Sequence, residues 1–195
     1  ACAANYAWAN RQILMHRTRL SFEKVLNISP KALNMRLLYD ICHNIAKIEI
    51  LPVDGRERAL CVHRKGATRS LPPGHPLVPA AYRSVGQPVL IPGDMGSGSY
   101  VLVGGEKAMT DTFASSCHGA GRAMSRSQAI KSSKNRAIAQ EMADRGVVVM
   151  ASGRATLHEE IPEAYKNLTE VVEVVHQAGI ARKVARLRAL GCIKG

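Results

Sequence analysis

The stretch IAKIEILPVDGRERALCVH, residues 45–63, decides the fold class. Residues 45–51 and 58–63 are short apolar-rich runs of the kind that form strands, and Asp54-Gly55 between them is a tight-turn signal, so the expectation is two strands closed as a hairpin. Working outward toward the amino terminus, residues 1–17 hold good helix formers without Gly or Pro, with Tyr6, Ile13 and Leu14 available to a buried face. A second helix is expected to begin near Ser21. A third should start at Pro30, a favourable first-turn position, and run through Leu33, Leu37 and Leu38 toward Tyr39. Toward the other end, residues 64–86 are rich in Gly, Pro, Arg and Lys and read as a loop, the usual seat of binding residues. Residues 87–92 and 100–103 read as short strands flanking GDMGSGS. A helix is expected over residues 125–145, stopped by Gly146 ahead of a strand at 147–150. Asn167 followed by Glu170 resembles a capping box that opens another helix, ending at Gly179, and residues 184–193 suit a terminal strand. Helices and short strands alternate without regular βαβ spacing, which makes the fold class α+β.

Composition narrows the partners. Of the 195 residues, 46% are apolar and only 4% aromatic, so the chain can bury a largely aliphatic core. Its 27 Lys plus Arg against 15 Asp plus Glu give a net charge of +12. That excess concentrates polyanions and favours nucleic acid or nucleotide partners, although a solvated basic face would have the same composition. The charges cluster at Arg64, Lys65 and Arg69, at Arg122, Arg126, Lys131, Lys134 and Arg136, and at Arg182, Lys183, Arg186 and Arg188. Five cysteines, an odd number with no CxxC pair, indicate neither a disulfide framework nor a cysteine-rich zinc knuckle, and suit a reducing intracellular setting. No apolar run of spanning length and no secretory signal occurs, so a cytoplasmic protein without a membrane partner is expected, also nuclear if the source is eukaryotic. The opening ACAANYAWANRQ has no initiator Met and is already helical in pattern, so the sequence is expected to begin inside a larger protein.

The densest chemical signal is SSCHGAGRAMSR, residues 115–126. His118 is followed by Gly119, Ala120 and Gly121, which leave room for a phosphate-bearing ligand to approach both the ring and the neighbouring amides. Imidazole is partly neutral near pH 7 and can both attack phosphorus and leave from a phosphoramidate. Arg122 and Arg126 would share one face if a helix has begun there, with two guanidinium forks for phosphate oxygens. The same His118 could equally be a capping or core histidine in a tight turn. In DICHNIAK, residues 40–47, His43 suits a metal ligand beside polar Asn44, but a single histidine without an HxH or HxxxH partner fits a buried hydrogen-bonded role as well. HRKGATRS, residues 63–70, can form an anion-binding loop from Arg64, Lys65 and Arg69 around Gly66. PGDMGSGSY, residues 92–100, lacks the Walker pattern; it can enclose a nucleotide or be an ordinary glycine-rich turn.

Taken in order, His43-Asn44, HRKGATRS, GQPVLIPGDMG, SSCHGAGRAMSR, AYKN and the terminal IKG resemble the RtcB-type tRNA-splicing RNA ligases over nearly all 195 residues. The match corresponds to roughly the last two-fifths of a family member, so residues 1–195 are expected to be the carboxy-terminal part of one catalytic domain. The resemblance implies GTP- and manganese-dependent joining of an RNA 3'-phosphate or 2',3'-cyclic phosphate end to a 5'-hydroxyl end, in tRNA splicing or RNA repair. His118 then resembles the histidine that carries covalent GMP, and His43 a ligand of one of two Mn2+ ions. Asn44, Ser99, Gly119, Ala120, Gly121, Tyr165 and Lys194 resemble nucleotide contacts, with Tyr165 and Lys194 at the guanine. Lys65 and Arg126 resemble residues of the surface that receives RNA phosphates, and Arg64 and Arg122 are expected to join them from the reading of their own motifs.

Asp94 departs from the resemblance, standing where the family commonly has Ser; its carboxylate would repel GMP phosphates unless turned away or met by a cation. The other metal ligands of the family, a Cys, an Asp and further histidines, have no counterpart in this sequence. The implied partners are therefore RNA, as tRNA halves, and the missing amino-terminal portion of the ligase, with an activating accessory protein left open. This chain alone is not expected to complete ligation. The competing expectation is a non-catalytic basic RNA-binding fragment or partner subunit, separable by its failure to form a GMP adduct.

Overall fold

The computed structural model describes residues 2–194, with the side chains of Arg154 and Lys194 outside the description. The chain divides into two compact units, one through Asp40 and a larger one from Ile41 onward. In the first, α1 spans Cys2–Leu26 and α2 is a single turn, Pro30–Leu33. The break expected before Ser21 does not occur. No Gly or Pro interrupts the helix, and the Ser21 hydroxyl bonds back to the Arg17 carbonyl at 3.0 Å. α2 is shorter than expected because Asn34 turns left-handed at φ 49°, leaving Leu37, Leu38 and Tyr39 outside it. The buried face expected of Tyr6, Ile13 and Leu14 is also absent: they are 80%, 53% and 55% exposed. Among the described residues of this unit a one-turn helix is the only other regular element, too little to form a second layer over α1.

The larger unit begins with the expected hairpin, β1 (Asn44–Val53) paired antiparallel with β2 (Arg56–Lys65). Asp54 and Gly55 both take positive φ, 50° and 74°, the signature of a two-residue type I′ turn. Alternation buries Glu49 and Leu51 on one face and exposes Ile48 and Ile50 on the other. β3 (Ala67–Arg69) then pairs antiparallel with β6 (Ser115–Cys117), giving the expected loop region a two-stranded ribbon. β4 (Pro88–Pro92), β5 (Ser99–Gly104) and β8 (Ala181–Leu187) form an antiparallel sheet in the order β4-β5-β8. α7 (Leu168–Gln177) belongs to the same core, with Leu168, Val172 and Val175 clustered against Val89, Ile91 and Leu102. Asn167 caps it as expected, its side-chain oxygen accepting the Thr169 and Glu170 amides.

Between β5 and β6 lies the short α3 (Lys107–Asp111). The single helix expected over 125–145 is two, α4 (Arg126–Ser133) and α5 (Ile138–Asp144). Long-range bonds hold the bend between them. The Ser133 hydroxyl pairs with His158 at 2.9 Å, and the Arg136 guanidinium binds both Glu141 and Glu163. Met142, Ile138 and Ala129 meet Met95, Ile161 and Ala164 in a second core. β7 (Val148–Ala151) pairs in parallel with β9 (Gly191–Lys194), and α6 (Arg154–Glu159) follows β7. The tail expected as one strand therefore splits between two sheets, β8 and β9. The described residues form an α+β fold, as the sequence led one to expect.

Candidate active site

Hairpin geometry makes the site. Asn44 lies opposite Lys65, and one step further the Gly66 amide donates to the His43 carbonyl at 3.1 Å. β3 then sets Ala67 opposite Cys117, so the chain leaving β6 delivers His118 beside Gly66. The His43 and His118 rings stack with centroids 4.6 Å apart and planes within 7°. Gly66 sits at φ 69°, and a Cβ there would lie 3.4 Å from both Cδ2 and Nε2 of His118; glycine keeps that ring edge uncovered. His118 is half-buried, whereas His43, Asn44 and Lys65 are exposed.

Burial holds the His118 ring below the ordinary imidazole pKa, and the neighbouring His43 and the Lys65 ammonium push in the same direction. The ring is thus kept neutral, with a nitrogen lone pair, at and somewhat below neutral pH. An anion arriving beside it would meet Lys65 and the Asn44 amide. That combination serves nucleophilic attack on a phosphate: an unprotonated nucleophile, a point charge and little side-chain bulk.

Downstream of His118 the segment is tied to its surroundings at each residue. A Cβ on Gly119 would come within 3.3 Å of the Pro92 carbonyl, and Ala120 is buried in the core with Ile91 and Leu168. Gly121, at φ 71°, presents its carbonyl to the Lys166 amide at 3.0 Å. Arg122 forms an isolated antiparallel bridge with Tyr165, and its guanidinium lies 5.1 Å from the centre of that ring. Gly119 thus lets the Pro92 carbonyl come close, Gly121 takes a positive φ, and the Ala120 side chain faces inward.

Two of the arginines expected to meet RNA phosphates are otherwise engaged. The Arg64 side chain is 1% exposed; it grips Glu49 at 3.0 and 2.6 Å and donates to the Ser115 hydroxyl and the carbonyls of Phe113 and Ala114. Strand alternation turns it inward while Lys65 turns outward. Arg122 donates to the Met124 and Glu159 carbonyls, the Glu160 carboxylate and the Tyr165 hydroxyl. It also precedes α4, so it shares no helix face with Arg126. Both guanidinium groups are engaged with protein groups in this structure, Arg64 fully buried and Arg122 partly exposed. The Arg126 side chain is 73% exposed, with Glu159 3.7 Å away, and Lys65 is exposed. These two remain accessible to a polyanion.

Ser99 lines a cavity of about 250 Å³ together with Gly93, Asp94, Gly98, Gly191 and Cys192; the lining includes neither His118 nor Tyr165. The Asp94 carboxylate is engaged within its own turn: one oxygen accepts the Gly96 and Ser97 amides at 2.7 and 3.0 Å, the other the Ser97 hydroxyl at 2.7 Å. The carboxylate is thus consumed by its own turn. β9 ends at Lys194, opposite Ala151, while the Lys194 side chain lies outside the description.

Among the described residues no group of three or more His, Cys, Asp or Glu side chains is arranged to hold a metal ion. His43 belongs to no such group, so a closed manganese site does not fit the described residues by themselves. Nor is any described helix long and apolar enough to cross a membrane. Sequence reasoning passed over Glu49 and Glu160, the carboxylates that immobilise Arg64 and Arg122. For Glu49 a signal existed, since it stands in an apolar run at the same strand parity as Leu51, inside the sheet.

The α+β scaffold sets a histidine between two glycines and beside a lysine, an arrangement chemically suited to a phosphate group. The chain belongs to the family described as tRNA-splicing ligase RtcB, which matches residues 1–195. A tRNA-splicing ligase RtcB of Archaeoglobus fulgidus is 55% identical over 195 residues, covering all of this chain and 40% of the relative. The ligase of the same description from Thermococcus kodakarensis is 53% identical over 193 residues, 99% of this chain and 40% of its own length. That of Pyrococcus abyssi is also 53% identical over 193 residues, but only 21% of its length is covered. This chain thus spans two-fifths or less of these relatives.

Proposed function

We propose that this chain is the carboxy-terminal part of an RNA ligase catalytic domain, and that His118 is its site of guanylylation. The carrying observation is the convergence of His43, Asn44, Lys65 and Gly66 around His118, which keeps that ring neutral and accessible next to a cation. In this reading a His118 ring nitrogen attacks the α-phosphorus of GTP, a phosphorus–nitrogen bond forms and pyrophosphate leaves. GMP then passes to an RNA 3'-phosphate. Attack by a 5'-hydroxyl displaces GMP and forms the phosphodiester; a 2',3'-cyclic phosphate end is first opened by water.

Lys65 offsets charge on the incoming triphosphate and Asn44 donates to it. Lys65 and Arg126 receive RNA, tRNA halves in splicing, consistent with the activity named for the relatives. Ser99, Tyr165 and Lys194 belong to the nucleotide pocket, with Tyr165 and Lys194 at the base. The manganese ions of this reading need ligands from beyond this chain in addition to His43.

The test supplies the chain together with the remaining portion of a relative, labelled GTP and Mn2+. The expected product is an acid-labile, alkali-stable GMP adduct that disappears in His118→Ala. No adduct in the wild type, or an adduct that survives His118→Ala, rejects the proposal. Salt-dependent RNA binding without an adduct would identify a non-catalytic RNA-binding protein instead.

A further inference from the structure

Arg122, Glu160 and Tyr165 form a set of mutual contacts that the chemistry at His118 leaves unexplained. The Tyr165 hydroxyl donates to one Glu160 oxygen at 2.5 Å, and Arg122 donates to the other at 3.2 Å and to the Tyr165 hydroxyl oxygen at 3.2 Å. The guanidinium also binds the Glu159 carbonyl at 2.6 Å and the Met124 carbonyl at 3.1 Å, and covers one side of the Tyr165 ring. Backbone bonds run alongside, from Lys166 to Gly121 and from Ala123 to Ala164. A tyrosine normally rotates about two side-chain torsions; here its hydroxyl is fixed at the far end and its ring is bounded on one side.

The geometry points to Glu160 and Arg122 as positioning residues: they lock the Tyr165 ring in a single orientation at the end of the His118 segment and thereby set the affinity for the purine base of the nucleotide. This rests on the assignment of Tyr165 to the base pocket. Neither residue needs to touch the nucleotide. Arg122 lies over the ring, the ring also packs against the core cluster around Met95 and Ala164, and Glu160 holds its hydroxyl, so the ring cannot swing away from a base that reaches it. The hydroxyl carries a mark of the lock, because burial, then the hydrogen bond to Glu160 and its charge, push the phenol up to about 12.

The test compares the wild type with Glu160→Ala, Glu160→Gln and Tyr165→Phe, each with the remaining portion of the ligase supplied. Equilibrium GTP binding and the GTP dependence of His118 labelling are measured with the ultraviolet titration of the tyrosines. In Glu160→Ala the half-saturating GTP concentration should rise roughly tenfold, the loss expected of a charge-assisted hydrogen bond, with the labelling rate at saturation unchanged. One phenol should titrate lower than before. Glu160→Gln should recover part of the affinity, and Tyr165→Phe, which keeps the ring but frees it, should repeat the loss even if Glu160→Ala fails to fold.

Unchanged GTP affinity in Glu160→Ala or Tyr165→Phe overturns the inference, as does a fall in saturating rate without a change in affinity. If the wild type forms no adduct, it is the His118 assignment that fails. Equilibrium binding to wild type and Tyr165→Phe then still decides the role of the lock.

Discussion

Both ends of segment 115–122 are held by an arginine that grips a carboxylate and backbone carbonyls, but the two anchors sit in different surroundings. At the upstream end Arg64 and Glu49 have side chains 1% and 7% exposed, beneath the hairpin. At the downstream end Arg122 and Glu160 are 25% and 18% exposed, beside Tyr165. A charge pair removed from water must be complete, because either partner left alone is a buried charge without compensation. A pair that still touches water tolerates loss and can adjust. The upstream anchor therefore behaves as part of the fold, and the downstream anchor as part of the pocket.

Replacing Arg64 with Met should show the contrast most strongly. It strands Glu49 with only Arg69, 3.7 Å away, and should lower stability by about 3–5 kcal/mol, read as a shift in the urea midpoint. A loss below about 1 kcal/mol would erase the distinction between the anchors. Arg122→Met should cost less, about 1.5–3 kcal/mol for its charged hydrogen bonds, and should weaken GTP binding in a protein that stays folded. Equal destabilisation by the two replacements would contradict the comparison.

The smallest effect expected is one of pH. Lys65 lowers the His118 pKa, so Lys65→Gln should move the acid limb of adduct formation upward, toward the ordinary imidazole value of 6.5. A limb that stays still or moves down would remove Lys65 from the site's electrostatics. The stability linkage has a defined sign as well. An unfolded His118 takes its proton near pH 6.5 and the folded ring does so lower, so this residue's contribution is complete above that pH and declines as pH falls toward the folded value.

Local signals in the sequence were reliable where a few neighbouring residues determine the outcome. Asp54-Gly55 closes the hairpin by positive φ at both positions, and Asn167 caps α7 with its own side chain. The bend between α4 and α5 was hidden, because Ser133 and Arg136 are turned there by His158 and Glu163, partners more than twenty residues away in the chain. The same limit applied at the site. His118 stood out by composition, whereas its stack on His43 depends on two ribbons converging. Arg64 and Lys65 are adjacent and alike in charge, and only the direction of the strand pleat separates a buried strut from an accessible cation. Tyr6, Ile13 and Leu14 have helical spacing, yet spacing alone could not supply a layer to cover them.

The pairing of β3 with β6 also orders the site in time. The hairpin closes across a two-residue turn, a microsecond event, whereas joining residue 67 to residue 117 requires the intervening chain to give up its freedom first. During refolding the Asn44 and Lys65 backbones should therefore meet before the two imidazoles do. Pairing of β3 with β6 should return later than hairpin structure, and the lag between them measures the closing of that long loop.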